Sequence, residues 1–95
     1  MTPADLNPKL AVQVRLALFP TESAVAQEAA QAGLTGAEID AAREGRSFDI
    51  QAQAAIVLAL ALRAGVVTDA ARSRAERVGL CAGQIRALLT LARED

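Results

Sequence analysis

Few residues in this sequence are equipped to do chemistry. It holds one cysteine, Cys81, and no histidine. Cys81 precedes Ala82-Gly83-Gln84-Ile85, at the place where a helix would begin. A helix N-terminus can lower a thiol's pKa, which allows a redox or modification role. The preferred reading is structural, with Cys81 a small, half-buried cap substitute. Arg72, Arg74 and Arg77, with Arg86 beyond the next turn, form the densest positive patch. Guanidinium groups fork onto carboxylates and phosphates, but Asp69 and Glu76 lie among these arginines, and a solvated helix face has this pattern. Glu38, Asp40 and Glu44 form an acidic strip. Residues two apart on a helix point to different sides, so Glu38 and Asp40 are not a ready carboxylate pair. Nothing matches a glycine-rich phosphate loop, a metal-ligand cluster or a serine nucleophile motif. No catalytic, cofactor-binding or metal-binding residue is therefore assigned.

The composition bounds what these residues can belong to. Ninety-five residues make one domain, residues 1–95, near the size where a single core becomes marginal. The chain is 53% hydrophobic, yet its only aromatic residues are Phe19 and Phe48. Alanine dominates; it favours helix but buries little area per residue. Sharing a core with a second copy is the usual remedy, so a homo-oligomer is expected. A net charge of −1 argues against nucleic acid or an acidic membrane surface as partner. A lone cysteine excludes a disulfide within the chain. Met1-Thr2-Pro3-Ala4-Asp5 does not read as a secretory signal, and the apolar stretch Ala54 to Leu62 is far short of the ~20 residues of a membrane span. A cytoplasmic protein is the expectation.

The elements that position these residues are marked by helix punctuation. Thr2 and Pro3 suit a short first turn. Asn7 and Pro8 open a helix to about Phe19 with Leu10, Val14, Ala17 and Leu18 on one face; Lys9, Gln13 and Arg15 fall largely off it, and Pro20 ends it. Thr21 is the expected cap of a helix ending at Ala32 before Gly33. Thr35 and Glu38 make a capping box for a short helix that stops at Gly45. Asp49 caps Ile50 to Ala64, apolar nearly all round and so expected to be the buried hub. Gly65 closes it. Thr68 or Asp69 starts a helix reaching Val78, and the last runs from about Ala82 to Arg93. The phrase Gly33-Leu34-Thr35-Gly36-Ala37-Glu38-Ile39 returns as Gly79-Leu80-Cys81-Ala82-Gly83-Gln84-Ile85, 46 residues later. The recurrence reads equally as a duplicated helical hairpin or as common punctuation reached twice. The prediction is an all-α domain of five or six helices in antiparallel hairpins around Ile50–Ala64, its core completed by oligomerisation.

From about Gln27 to Ala92 the chain resembles the carboxymuconolactone decarboxylase and alkylhydroperoxidase AhpD-like family. The resemblance rests on Ala32-Gly33-Leu34-Thr35, Glu38-Ile39, Gly45-Arg46, Asp49, Val67-Thr68-Asp69 and Gly79-Leu80 with Gln84-Ile85. Leu6-Asn7-Pro8-Lys9 is similar to the family's opening but stands too near Gly33. The resemblance implies a Cys-x-x-Cys-x-x-x-His motif at the start of the helix leading to the Gly-Leu-Thr turn. Counted back from Gly33, its three positions hold Leu18, Thr21 and Val25, and Asp5 is the only acid upstream. Thiol peroxidase turnover needs an attacking thiolate, a resolving thiol and a base. Decarboxylation needs a proton carrier near neutral pH. Neither set is present. The expectation is an AhpD-like scaffold without thiol peroxidase or decarboxylase activity and with no cofactor, an oligomeric binding or accessory protein holding a small apolar molecule between helices.

Two alternatives stand beside it. Gln27 to Ser47 also resembles a phage-repressor-type helix-turn-helix, which would send Gly36 to Glu44 into the major groove of DNA. Those residues offer Glu38, Asp40 and Glu44 to a phosphate-lined surface, with Arg43 the only base-reading cation. The other alternative is an enzyme of the same fold using non-thiol residues, for which Asp49, Arg46 and Glu22 are the candidates.

Overall fold

The computed structural model describes residues 6–66 and 68–93, which form six helices and, among those residues, no strand. The turn expected at Thr2 and Pro3 lies outside them, as does Asp5. The helices are α1 (Pro8–Leu18), α2 (Ser23–Gln31), α3 (Gly36–Arg43), α4 (Ile50–Ala64), α5 (Asp69–Arg77) and α6 (Ala82–Ala92).

Their starts follow from side chains that satisfy first-turn amides. The Leu10 amide donates to Asn7 Oδ1 at 2.7 Å, with Pro8 at the first helical position. The Ala52 amide donates to Asp49 Oδ1 at 2.9 Å. At α3 the capping box closes both ways: the Glu38 amide donates to Thr35 Oγ1 at 3.2 Å, and the Thr35 amide to Glu38 Oε1 at 2.9 Å. At α6 the Cys81 amide donates to Gln84 Oε1 at 2.8 Å. One start differs from expectation: α2 begins after Glu22 rather than Thr21, without a side-chain cap.

The two copies of the repeated phrase are built alike. Gly33 and Gly79 have φ of +97° and +102°, a left-handed conformation that glycine adopts without a Cβ clash. The Leu34 amide reaches back to the Ala29 carbonyl and Leu80 to Ala75, both at 3.0 Å, and the glycine amides bond Ala30 and Glu76, both at 3.1 Å. This is the Schellman arrangement. It buries both leucines. The likeness extends past the hairpin. Shifted by 46 residues, α2 (23–31) falls on α5 (69–77), α3 starts where α6 starts, and α1 ends where α4 ends. In each half the first helix packs on the following two, α1 on α2 and α3, α4 on α5 and α6. The described chain is thus two consecutive three-helix units.

Helix α1 belongs to both cores. Val12 and Leu16 pack with Val25, Ala29, Leu34 and Ala42 in the first unit. Leu10, Val14 and Leu18 pack with Ile56, Leu58, Leu88 and Leu91 of the second. The single apolar face expected for α1 is therefore two faces, and α4 shares the role of hub with it. Gln13, expected off the buried face, is 5% exposed. Its Nε2 donates to the Lys9 carbonyl at 3.2 Å, and its Oε1 accepts from Ser47 Oγ at 2.6 Å. Ser47 in turn donates its amide to Gln53 Oε1 at 2.8 Å. This chain of bonds ties the α3–α4 loop to α1. At the opposite end, Arg63 donates to the Leu18 carbonyl at 2.9 Å and lies 4.5 Å from the Phe19 ring centre, joining the C-terminal ends of α1 and α4.

Leu16 is fully buried on the face of α1 that packs in the first unit. Leu16→Ala should cost about 2–5 kcal/mol in urea denaturation. It should leave one cooperative transition, because losing α1 packing releases both units together.

Candidate functional site

Two of the three positions where the family resemblance places thiol chemistry hold packed aliphatic side chains. Leu18 is 7% exposed at the end of α1, inside the α1–α4–α6 core. Val25 is 3% exposed on α2, inside the α1–α2–α3 core. Thr21 is exposed in the turn between these helices. None of the three carries a group that titrates near neutral pH or exchanges electrons. Cys81 is exposed at the start of α6, not half-buried as expected, and belongs to the other unit.

Two of the three weaker candidates have local side-chain partners, and Glu22 has no side-chain cap bond. The Asp49 carboxylate caps α4. Arg46 pairs with Glu44 in the α3–α4 loop, both well exposed. Glu22 is an exposed residue at the start of α2. Glu38 completes the α3 cap and lies 4.0 Å from Lys9 Nζ. Among the described residues no cluster of three or more His, Cys, Asp or Glu is arranged to hold a metal ion.

Two clefts bring polar groups together. One, of about 150 Å³, lies where the starts of α1 and α4 meet α3 and is lined by Asn7, Lys9, Gln13, Glu38, Asp49 and Gln51 among others. Its polar side chains are engaged: Asn7 and Asp49 cap helices, Glu38 holds Thr35, Gln13 holds Ser47, and Gln51 Nε2 donates to the Val78 carbonyl at 2.8 Å. This cleft is the seam of the fold. The second, of about 240 Å³, lies between α5 and α6 and is lined by Arg72, Glu76, Ala82, Ile85 and Arg86. The arginine patch read from sequence is thereby split. Arg72 and Arg86 line one opening, whereas Arg74 and Arg77 do not.

The outer surface of α3, which a helix-turn-helix would present to DNA, exposes Gly36, Ala37, Asp40, Arg43 and Glu44. Residues 6–50 carry four cations and six anions, whereas 51–93 carry six cations and two anions. The unit bearing α3 is thus the acidic one. Among the described residues no helix is long and apolar enough to cross a membrane.

Gln13 and the α5–α6 opening are the features that the sequence reading missed. A single amide side chain within Leu10-Ala11-Val12-Gln13-Val14 was the available signal for the first. The second had no sequence signal of its own, because it depends on how α5 and α6 pack.

The Glu38 carboxyl is held below the ordinary glutamate value, chiefly because it accepts the Thr35 backbone amide; partial desolvation opposes this, and Lys9 and the Thr35 hydroxyl reinforce it. A depressed folded-state pKa stabilises the fold above the unfolded value and is lost as pH falls through the folded value. Glu38→Ala should therefore lower the melting temperature at pH 7, and the gap from the unchanged protein should narrow as pH falls below the usual glutamate range. A gap independent of pH would mean that the ionised carboxylate contributes nothing.

No known family, curated protein or solved structure matches this chain.

Proposed function

We propose that this chain is an AhpD-like scaffold without thiol chemistry, acting as an oligomeric binding or accessory protein. The observation that carries the reading is the burial of Leu18 and Val25 in the two cores. A position filled by a packed aliphatic side chain neither attacks peroxide nor moves a proton, so what remains is a helical frame able to bind. The residues behind the family resemblance sit at the junctions of that frame: Gly33 to Glu38 at the α2–α3 turn, Asp49 at the start of α4, and Gly79 to Gln84 at the α5–α6 turn. Support for association comes from large apolar side chains left in water. Phe48 is 71% and Ile50 65% exposed on either side of Asp49, and Val66 is 57% exposed beyond the other end of α4. Burying a pair such as Phe48 and Ile50 against a second copy is worth about 1.5–3 kcal/mol for each side chain.

One observation favours a second reading, a helix-turn-helix regulator. Helices α1, α2 and α3 share a core of their own and leave the outer surface of α3 exposed. That surface is acidic, and a phosphate-lined groove repels it.

Native mass spectrometry of the protein from its own source tests the first reading. The expected result is a homo-oligomer carrying a reproducible extra mass, reduced to monomer by the double substitution Phe48→Ser and Ile50→Ser. Peroxide consumption with a dithiol reductant should be indistinguishable from background and unchanged by Cys81→Ala. A bare monomer, or turnover abolished by that substitution, contradicts the proposal. A salt-sensitive shift of duplex DNA would favour the regulator.

A further inference from the structure

The two three-helix units differ where their second and third helices meet. In the first unit α2 and α3 pack on each other as well as on α1. In the second, α5 and α6 each pack on α4, and the pair leaves an opening of about 240 Å³. The 46-residue shift identifies what changed. Arg72 and Glu76 stand where the first unit has Ala26 and Ala30, and Arg86 stands where it has Asp40. Two lining positions thus carry long charged side chains where the first unit has alanine, and at the third the charge is reversed, so the two units differ at this cleft.

The lining has a definite chemical character. Ile85 is buried in the main core and, with Ala82, supplies apolar wall. Arg72 and Arg86 line the same opening, and neither guanidinium has a hydrogen-bond or ion-pair partner among the described residues. Ala82 is the first residue of α6. Glu76 is the one anionic group in the lining. Two guanidinium groups beside aliphatic wall suit a carboxylate joined to an apolar tail. The opposing carboxylate of Glu76 disfavours a second negative charge on the ligand.

We propose that the α5–α6 cleft binds a small aliphatic monocarboxylate, its carboxylate held by Arg72 and Arg86 and its tail against Ala82 and Ile85. The assignment rests on the binding-protein reading above and names its ligand class. That ligand differs from the small apolar molecule expected from sequence in carrying a carboxylate.

Isothermal titration calorimetry with octanoate, at low salt, tests it. Octanoate should bind, with octan-1-ol and the dicarboxylate suberate binding at least about tenfold more weakly, the scale of one charge-assisted hydrogen bond. Arg72→Gln and Arg86→Gln should each weaken octanoate by a similar factor. Glu76→Gln should tighten it. Arg74→Gln, outside the cleft, should leave it unchanged. These residues are exposed, and equal melting temperatures would show that each variant folds. Absence of octanoate binding up to millimolar concentrations overturns the proposal. So does binding that Arg72→Gln and Arg86→Gln weaken no more than Arg74→Gln does. An oligomer that carries a co-purified mass but ignores octanoate would sink the cleft assignment and leave the scaffold reading standing. A bare monomer that binds octanoate through Arg72 and Arg86 would do the reverse.

Discussion

Both cores depend on the burial of α1 on two sides. Val12 and Leu16 form one wall, and Leu10, Val14 and Leu18 the other. Of the two aromatic residues in the chain only Phe19 packs against a core, and only partly, so burial comes mainly from bringing many aliphatic side chains into close contact. A helix serving two cores has little room for polar side chains. Lys9 is exposed and Arg15 lies at the rim, paired with Glu28. Gln13 is the exception, and a buried amide without partners would be costly. Its bonds to the Lys9 carbonyl and Ser47 avoid that cost and fix where the chain leaves α3 for α4.

The repeated punctuation accounts for how so short a chain forms two three-helix units. Each is a helix followed by a hairpin closed by a glycine-leucine turn. In the first, small residues on α2 let the hairpin close, and Leu18 and Val25 are part of the packing. In the second, α5 has only one fully buried residue, Ala75, and meets α4 through small side chains while its outer surface is charged. Most of the buried side chains of the hairpin belong to α6, and an opening remains between α5 and α6.

Much of this was legible because helix ends are local. Asn7-Pro8, Thr35 with Glu38, Asp49, Gly33 and Gly79 act on amides and carbonyls within a few residues, so each boundary they mark could be read without the fold. The start of α2 was misjudged for the same reason in reverse: Thr21 has the chemistry of a cap, but Pro20 and the turn at Phe19 carry the chain past it. The second face of α1 was not legible. Between Leu10 and Leu18 nearly every position is aliphatic, so no polar stripe fixes which sides are buried. The positions Leu18, Thr21 and Val25 were legible by counting back from Gly33. The α5–α6 opening was not, because whether Arg72 and Arg86 share a cavity depends on how far α5 stands from α6, a distance set by α4.

The measurement that bears most directly on the account is chemical denaturation of Leu18→Ala, Val25→Ala and Thr21→Ala, compared with the unchanged protein. If the first and last of the motif positions have become core, Leu18→Ala should cost about 2–5 kcal/mol. Val25→Ala, which removes two buried carbons at about 0.8 kcal/mol each, should cost at least about 1.5 kcal/mol. Thr21→Ala, exposed in a turn, should stay within about 0.5 kcal/mol. If Leu18→Ala and Val25→Ala instead leave stability unchanged while abolishing a bound mass or an activity, those positions form a working site and the account is wrong.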